Sequence, residues 1–135
     1  MVGTWHNNLI SKKLYEEYGR DFSICDIDGI CRKFYKENGV YIQRLIIYES
    51  KNDHETIKGP QLQTLFELDN SIDWSKFDEH SGLFVIRIVD NSDVNELEIM
   101  KIKKVVNLPP KFTLEIIKKI TFDQFYYWIS AKDKI

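Results

Sequence analysis

Within Ser23–Lys51, two runs that mix apolar and polar residues flank the dipeptide Asn38-Gly39. Both runs are rich in β-branched and aromatic residues, which favour strands. Asn-Gly between two such runs is the strongest short signal for a two-residue type I′ turn, because both of its residues accept positive φ. The pattern therefore predicts a β-hairpin in which Glu37 lies opposite Val40.

In the rest of the chain, segments with apolar residues at helical spacing are followed by segments with the apolar pattern of strands. Apolar residues at helical spacing predict Trp5–Tyr18, a helix opened by Gly59-Pro60, Thr113–Ile120, and a last helix from the T-x-x-Q capping box Thr121–Gln124 to about Ala131. The continuous apolar run Leu83–Val89 predicts a strand buried on both faces, and the alternating run Glu96–Lys104 predicts a strand nearer an edge. This order predicts an α/β sandwich around a small mixed β-sheet.

Length and composition indicate one globular domain over residues 1–135. Apolar residues make up 43% of the chain and charged residues 30%, a balance that argues against a disordered chain. No apolar run reaches the ~20 residues of a membrane span, and no signal peptide is visible. Cys25 and Cys31 lie too far apart on one predicted strand to form a disulfide, so we expect a cytoplasmic, reducing environment.

Charge is unevenly distributed along the chain. The net charge is −2, but the segment from Ile99 to the end carries eight lysines and three acidic residues. A basic segment beside an acidic remainder is compatible with a surface that faces phosphates. A solvated lysine-rich face explains the same pattern equally well, so charge alone does not identify a partner.

Acidic residues converge at the open end of the predicted hairpin. The expected register places Asp28 opposite Glu49 and Asp26 opposite Lys51, with all four side chains on one face. Opposed like charges about 4.5–5.5 Å apart destabilise a sheet unless a cation lies between them. Two such carboxylates suit a hard divalent ion, and a lysine about 7 Å along the strand can stabilise negative charge on phosphorus. The residues therefore indicate metal-assisted phosphodiester hydrolysis.

Asp28 and the strand Leu45–Tyr48 that leads into Glu49-Ser50-Lys51 resemble the PD-(D/E)xK nuclease core, which restriction endonucleases and Holliday-junction resolvases share. The resemblance implies that Asp28 and Glu49 bind Mg²⁺ or Mn²⁺ and that Lys51 assists the attacking water. It also implies a restriction-endonuclease-like fold and a DNA substrate, with endonuclease activity favoured over exonuclease activity. Ile27 stands where the family motif has proline, and this departure makes the motif less specific.

The resemblance also suggests supporting residues. A glutamate of the first helix often contributes a further acid in this superfamily, which points to Glu17, with Glu16 as the fallback. Pairing of Glu17 with Lys13 is the competing interpretation. Many members carry a polar residue on the helix after the E-x-K strand, a position that Gln61 or Gln63 fills here.

Other polar residues of the hairpin are weaker candidates. Asp26 is a supporting acid for the site, and its ordinary alternative is an exposed ion pair with Lys51. Arg32, Lys33 and Arg44 lie toward the turn, where they are candidates for contact with a nucleic-acid backbone. Residues of this kind are more often only solvated.

Two expectations concern the whole molecule. Tyr127 and Trp128 widen the apolar stripe of the last helix beyond one face, which suits a homodimer contact or stacking on bases. A dimer also suits a nuclease that cuts both strands of a duplex. The alternative function is a catalytically inactive, nuclease-like module that binds DNA or takes part in assembly.

Overall fold

The computed structural model describes residues 27–52, 59–90 and 93–132, together with Lys13, Glu16, Glu17, Glu55 and Ile57. Most of the expected helix Trp5–Tyr18 lies outside these residues, although Lys13, Glu16 and Glu17 are helical. The candidate acid Asp26 and the cysteine Cys25 also lie outside them. Within the described part, Cys31 is a free thiol, and burial raises its pKa.

A five-stranded mixed sheet forms the centre of the described chain. Its strands lie side by side in chain order: β1 (Gly29–Glu37), β2 (Val40–Asn52), β3 (Gly82–Asp90), β4 (Asp93–Asn107) and β5 (Pro110–Ile120). Strands β2 and β3 are parallel, and the other neighbours are antiparallel. Helix α1 (Gly59–Ser71) lies between β2 and β3 in the chain, and helix α2 (Phe122–Ile129) follows β5. The predicted α/β class with a mixed sheet is confirmed.

The β1–β2 hairpin has the predicted turn and register. Glu37 pairs with Val40, and the ladder continues without a shift to Gly29 opposite Tyr48. Asn38 has φ 52° and Gly39 has φ 80°, the two positive values that a type I′ turn requires. The local Asn-Gly signal therefore determined which side chains of β2 face each side of the sheet.

Apolar clusters cover both faces of the sheet, as the continuous apolar strand β3 predicted. On the face that we call the α1 face, Leu62 and Leu65 of the helix pack on the strand residues Leu45, Ile47, Leu83, Val85, Met100 and Ile102. On the opposite α2 face, Phe125 and Trp128 pack on Ile46, Phe84, Ile86, Leu97 and Ile99. Strand β3 contributes to both clusters, which confirms it as a central strand.

The prediction of a helix over Thr113–Ile120 is wrong, because these residues belong to strand β5. Leu114 packs on the α1 face and Ile120 on the α2 face, so their helix-like spacing does not mark one helical side. The cause is a register shift: Ile99 pairs with Lys118 but Met100 pairs with Ile116, which leaves Ile117 as an extra residue. The bulge breaks the period-two pattern and makes a strand resemble a helix in sequence.

Helix α2 begins where its capping box predicted. The Thr121 hydroxyl accepts a hydrogen bond from the Gln124 amide, and the Gln124 side chain accepts one from the Thr121 amide. Tyr127 is exposed, but Trp128 is 5% exposed and packs edge-on against Phe84, which corrects its assignment to an outer surface. Within the described residues, neither helix has the length and apolarity to cross a membrane.

Candidate active site at the end of β2

Glu49 and Lys51 lie near the end of β2, just beyond the apolar cluster of the α1 face. Strand alternation continues from Leu45 and Ile47 and places both charged side chains on this face. Glu49 is 8% exposed, and the Lys51 Nζ lies 3.6 Å from its Oε1 atom. A carboxylate so deeply buried requires a compensating charge, which Lys51 provides in part. The two side chains thus share one face, as strand alternation predicted.

Asp28 lies at a bend immediately before β1 and is bound to Ser50 of the neighbouring strand. Its Oδ2 atom accepts hydrogen bonds from the Ser50 amide at 2.7 Å and from the Ser50 hydroxyl at 2.9 Å. The β1–β2 ladder ends at Gly29, so the Ser50 amide lies beyond the last residue pair and donates to the Asp28 carboxylate. Asp28 is thereby fixed beside the residue that separates Glu49 from Lys51.

The predicted meeting of Asp28 and Glu49 across the hairpin stays a prediction. Among the described contacts, Asp28 is linked to Ser50, and Glu49 is linked to Lys51. Glu49 points to the α1 face, whereas the Asp28 Oδ2 atom also accepts from the hydroxyl of Ser50, whose side chain strand alternation places on the α2 face. The Asp28 charge also affects Tyr48, which packs on the α2 face. Burial is the main cause that raises the pKa of Tyr48, and the charges of Cys31 and Asp28 raise it further.

A hard-cation site formed by Asp28 and Glu49 stays a prediction. No group of three or more His, Cys, Asp or Glu side chains that could hold a metal occurs among the described residues. Mg²⁺ is commonly bound by one or two carboxylates together with water and substrate phosphate, which is the kind of ligand set that the prediction of Mg²⁺ or Mn²⁺ at Asp28 and Glu49 requires.

A row of charged side chains crosses four strands beside Glu49 on the α1 face. Lys51 of β2 pairs in register with Arg87 of β3, Arg87 with Glu98 of β4, and Glu98 with Lys119 of β5. The Arg87 Nε and Nη2 atoms lie 2.6 and 2.5 Å from Glu98 Oε1, and Lys119 Nζ lies 3.6 Å from Glu98 Oε2. We call these four residues the charged row.

Sequence reasoning did not single out Arg87, Glu98 or Lys119 for this site, although one signal was present. Arg87 interrupts the apolar run of β3, and an arginine on a central strand needs an acidic partner or an open face. Which acid would meet it depended on the β3–β4 register, and no turn motif of known geometry specifies that register.

The remaining acidic and amide candidates lie in other surroundings. Glu17 is exposed and pairs with Lys13 at 3.7 Å, which is the competing interpretation of its role, and Glu16 is exposed. Gln61 is half-buried on α1. Gln63 is exposed, donates to Glu67 at 3.1 Å and lines a groove between α1 and the β4–β5 turn. Their described contacts do not include the charged row.

Arg32 and Lys33 are exposed on β1, as expected of residues available to a polyanion. Arg44 differs, and its proposed contact with nucleic acid is wrong, because its side chain is 0% exposed. Its Nε atom donates to Asp78 Oδ2 at 2.7 Å, and its Nη1 atom donates to the Trp128 carbonyl at 2.7 Å. Arg44 joins β2 to the loop before β3 and to helix α2.

Asp78 is the centre of the network that holds Arg44. Tyr35 donates to its Oδ2 atom at 2.6 Å, while the His80 amide and the Ser81 hydroxyl donate to its Oδ1 atom. Burial alone would raise the pKa of Asp78, but the hydrogen bonds from Tyr35, Arg44 and Ser81, with the Arg44 charge, lower it. The carboxylate is thus held ionised by the structure around it.

Comparison with protein-family models, with curated proteins and with solved structures found no significant match to this chain.

Proposed function

We propose that this protein is a metal-dependent nuclease that hydrolyses DNA phosphodiester bonds. The observation that carries the proposal is the pair formed by Glu49, which is 8% exposed, and Lys51, whose ammonium group lies 3.6 Å away. A buried carboxylate beside a lysine, next to an anchored aspartate, provides both a hard-cation ligand and a positive group for phosphate.

Each residue has a role in this proposal. Glu49 and Asp28 would hold Mg²⁺ or Mn²⁺, which supplies Lewis-acid activation of the phosphate and the attacking water. The Lys51 ammonium stabilises the negative charge that develops on the phosphoryl oxygens and orients the water. Ser50, which separates Glu49 from Lys51 in the sequence, fixes the Asp28 carboxylate through two hydrogen bonds.

The path of the chain around the site supports the same proposal. A hairpin carries Asp28 at its entrance and Glu49 at its exit, and helix α1 then leads to β3, which is parallel to β2. This arrangement is compatible with the restriction-endonuclease-like fold that the PD-(D/E)xK resemblance implies. The charged row extends from Lys51 on the same face, where a polyanion is the complementary partner.

The direct test compares wild-type protein with Glu49→Gln on linear duplex, single-stranded and four-way DNA, with and without Mg²⁺ or Mn²⁺. We expect wild-type cleavage only with the cation, and a loss of about 10²–10³-fold in Glu49→Gln. Glu115→Gln is the matched control, because Glu115 also pairs with a lysine, Lys103, but is exposed on β5. Equal cleavage by Glu49→Gln and the wild-type protein would refute the proposal.

The alternative, an inactive nuclease-like module, predicts a different result in calorimetric titration with Mn²⁺. The nuclease proposal requires binding that Asp28→Asn and Glu49→Gln each weaken. An inactive module predicts no binding that depends on either residue, together with no cleavage of any of the three substrates.

A further inference from the structure

Arg87 and Lys119 extend the site beyond Lys51, at the end of the sheet that the apolar cluster of α1 leaves uncovered. The apolar cluster under α1 ends at Ile47 on β2, Val85 on β3 and Met100 on β4. On β3 and β4, the next residue on this face belongs to the charged row, whereas on β2 Glu49 lies between the cluster and Lys51. Exposure of the three cationic side chains rises across the row, from 19% for Lys51 to 37% for Arg87 and 62% for Lys119. The row thus leads outward from the candidate catalytic end of β2.

We propose that Lys51, Arg87 and Lys119 form a track that binds the phosphate backbone of one nucleic-acid strand, which crosses β2 to β5. This inference rests on the proposed function, since it names how the substrate of that site is held. Arg87 and Lys119 are positioning residues in it. They are not catalytic residues.

Geometry favours a linear polyanion over a single small anion. The row spans three inter-strand spacings of about 4.8 Å, or about 14 Å in all. At about 3.4 Å of rise per nucleotide of one strand, this length corresponds to about four nucleotides. A free phosphate would contact one end of such a row, whereas a strand of nucleic acid contacts all of it.

Glu98 positions the Arg87 and Lys119 side chains of the track. Its buried carboxylate holds Arg87 through one oxygen and attracts Lys119 through the other. In the described contacts, Glu98 takes two of the five N–H groups of the guanidinium, so the remaining groups can donate to phosphate. Fixing an arginine in advance lowers the entropy that it loses when it binds.

The test measures DNA binding without catalysis, by fluorescence anisotropy of labelled single-stranded and duplex oligonucleotides in EDTA over a range of salt concentrations. Lys119→Ala should weaken binding about threefold to tenfold and lower the slope of log affinity against log salt by about one. Arg87→Lys, which keeps the charge but loses the planar fork, should also weaken binding. Lys103→Ala is the control, because Lys103 is 55% exposed and pairs with Glu115 near the other end of β4.

Outcomes for the track and for the nuclease proposal are separable. If Lys119→Ala and Arg87→Lys bind with the affinity and salt slope of the wild-type protein, the two residues only neutralise Glu98 and the track is refuted. Failure of the wild-type protein to bind DNA in EDTA refutes it as well. Weakened binding by both variants with no cleavage by any protein supports the track and refutes the nuclease proposal alone. Denaturation curves for each variant exclude misfolding as the cause.

Discussion

Arg44 and Glu49 are buried charged residues on the same strand, about 16 Å apart along β2. Around Arg44, the partner Asp78 receives hydrogen bonds from Tyr35 and from the amide and hydroxyl groups of its own loop. The Arg44 side chain is 0% exposed. Around Glu49, the described ion pair with Lys51 is longer, at 3.6 Å, and Lys51 reaches solvent.

The difference separates two uses of a buried charge. The Arg44 network joins β1, β2, the loop before β3 and α2, so it fixes how elements far apart in sequence meet. At the Glu49 end, the next residue, Ser50, binds a second acid, Asp28, and the strand leads to the exposed cations of the charged row. The first arrangement is closed and structural, and we expect the second to admit a ligand.

Asp78→Asn should produce the largest loss of stability at the closed end. Either orientation of the new amide would turn its NH₂ group toward groups that donate to Asp78, and the buried arginine would lose its counter-charge. We expect the free energy of unfolding to fall by about 3–5 kcal/mol in urea denaturation. The control Glu79→Ala, at a neighbouring side chain that is 78% exposed, should change it by less than about 0.5 kcal/mol.

Neutralising the open end provides the contrast. In the absence of metal, Glu49→Gln should lower the free energy of unfolding by less than Asp78→Asn does, because the Lys51 side chain is 19% exposed and can turn to solvent. A loss as large as that of Asp78→Asn would make Glu49 a structural residue and remove the distinction between the two ends.

Divalent cations should stabilise the protein through the open end only. A ligand that binds the folded state at 100 times its dissociation constant adds about 2.7 kcal/mol to the free energy of unfolding. Thermal unfolding of the wild-type protein should therefore shift upward with Mn²⁺ or Mg²⁺, and Glu49→Gln should abolish the shift. Asp78→Asn should keep it, from a lower starting temperature. An equal shift in Glu49→Gln would place the cation elsewhere on the protein.

Sequence predicted those parts of the fold whose cause is local. The Asn38-Gly39 turn determines a hairpin register by its own geometry, and the Thr121 capping box marks the start of α2. Glu49 and Lys51 are two residues apart on one strand, so their common face followed from alternation alone. Strand β5 was missed because the bulge at Ile117 breaks the pattern on which a strand is recognised.

Contacts between distant residues account for the other errors. Arg44 lies between Ile42 and Ile46 on the alternating apolar face of β2, and this position was a sign of burial that was not used. Its partner Asp78 is 34 residues away, in a loop whose path depends on the whole sheet. The Arg87–Glu98 pair likewise required the β3–β4 register.

The hydroxyl of Tyr35 should reveal the closed network through the pH dependence of stability. Burial, the hydrogen bond to Asp78 and its charge raise the pKa of Tyr35 from 10.0 to about 12. The folded state therefore disfavours the phenolate, so this group's contribution to stability is complete below pH 10 and is lost as the pH rises toward 12. Tyr35→Phe should lower the free energy of unfolding by about 1.5–3 kcal/mol at neutral pH, where it removes a hydrogen bond to a charged group.

Urea denaturation of both proteins at increasing pH should show the difference between their free energies of unfolding shrink above pH 10, since only the wild-type protein loses this contribution. A difference that stays constant through that range would mean that the Tyr35 hydroxyl is not held by Asp78, and the closed end would then lack one of the donors that set it apart from the Glu49 end.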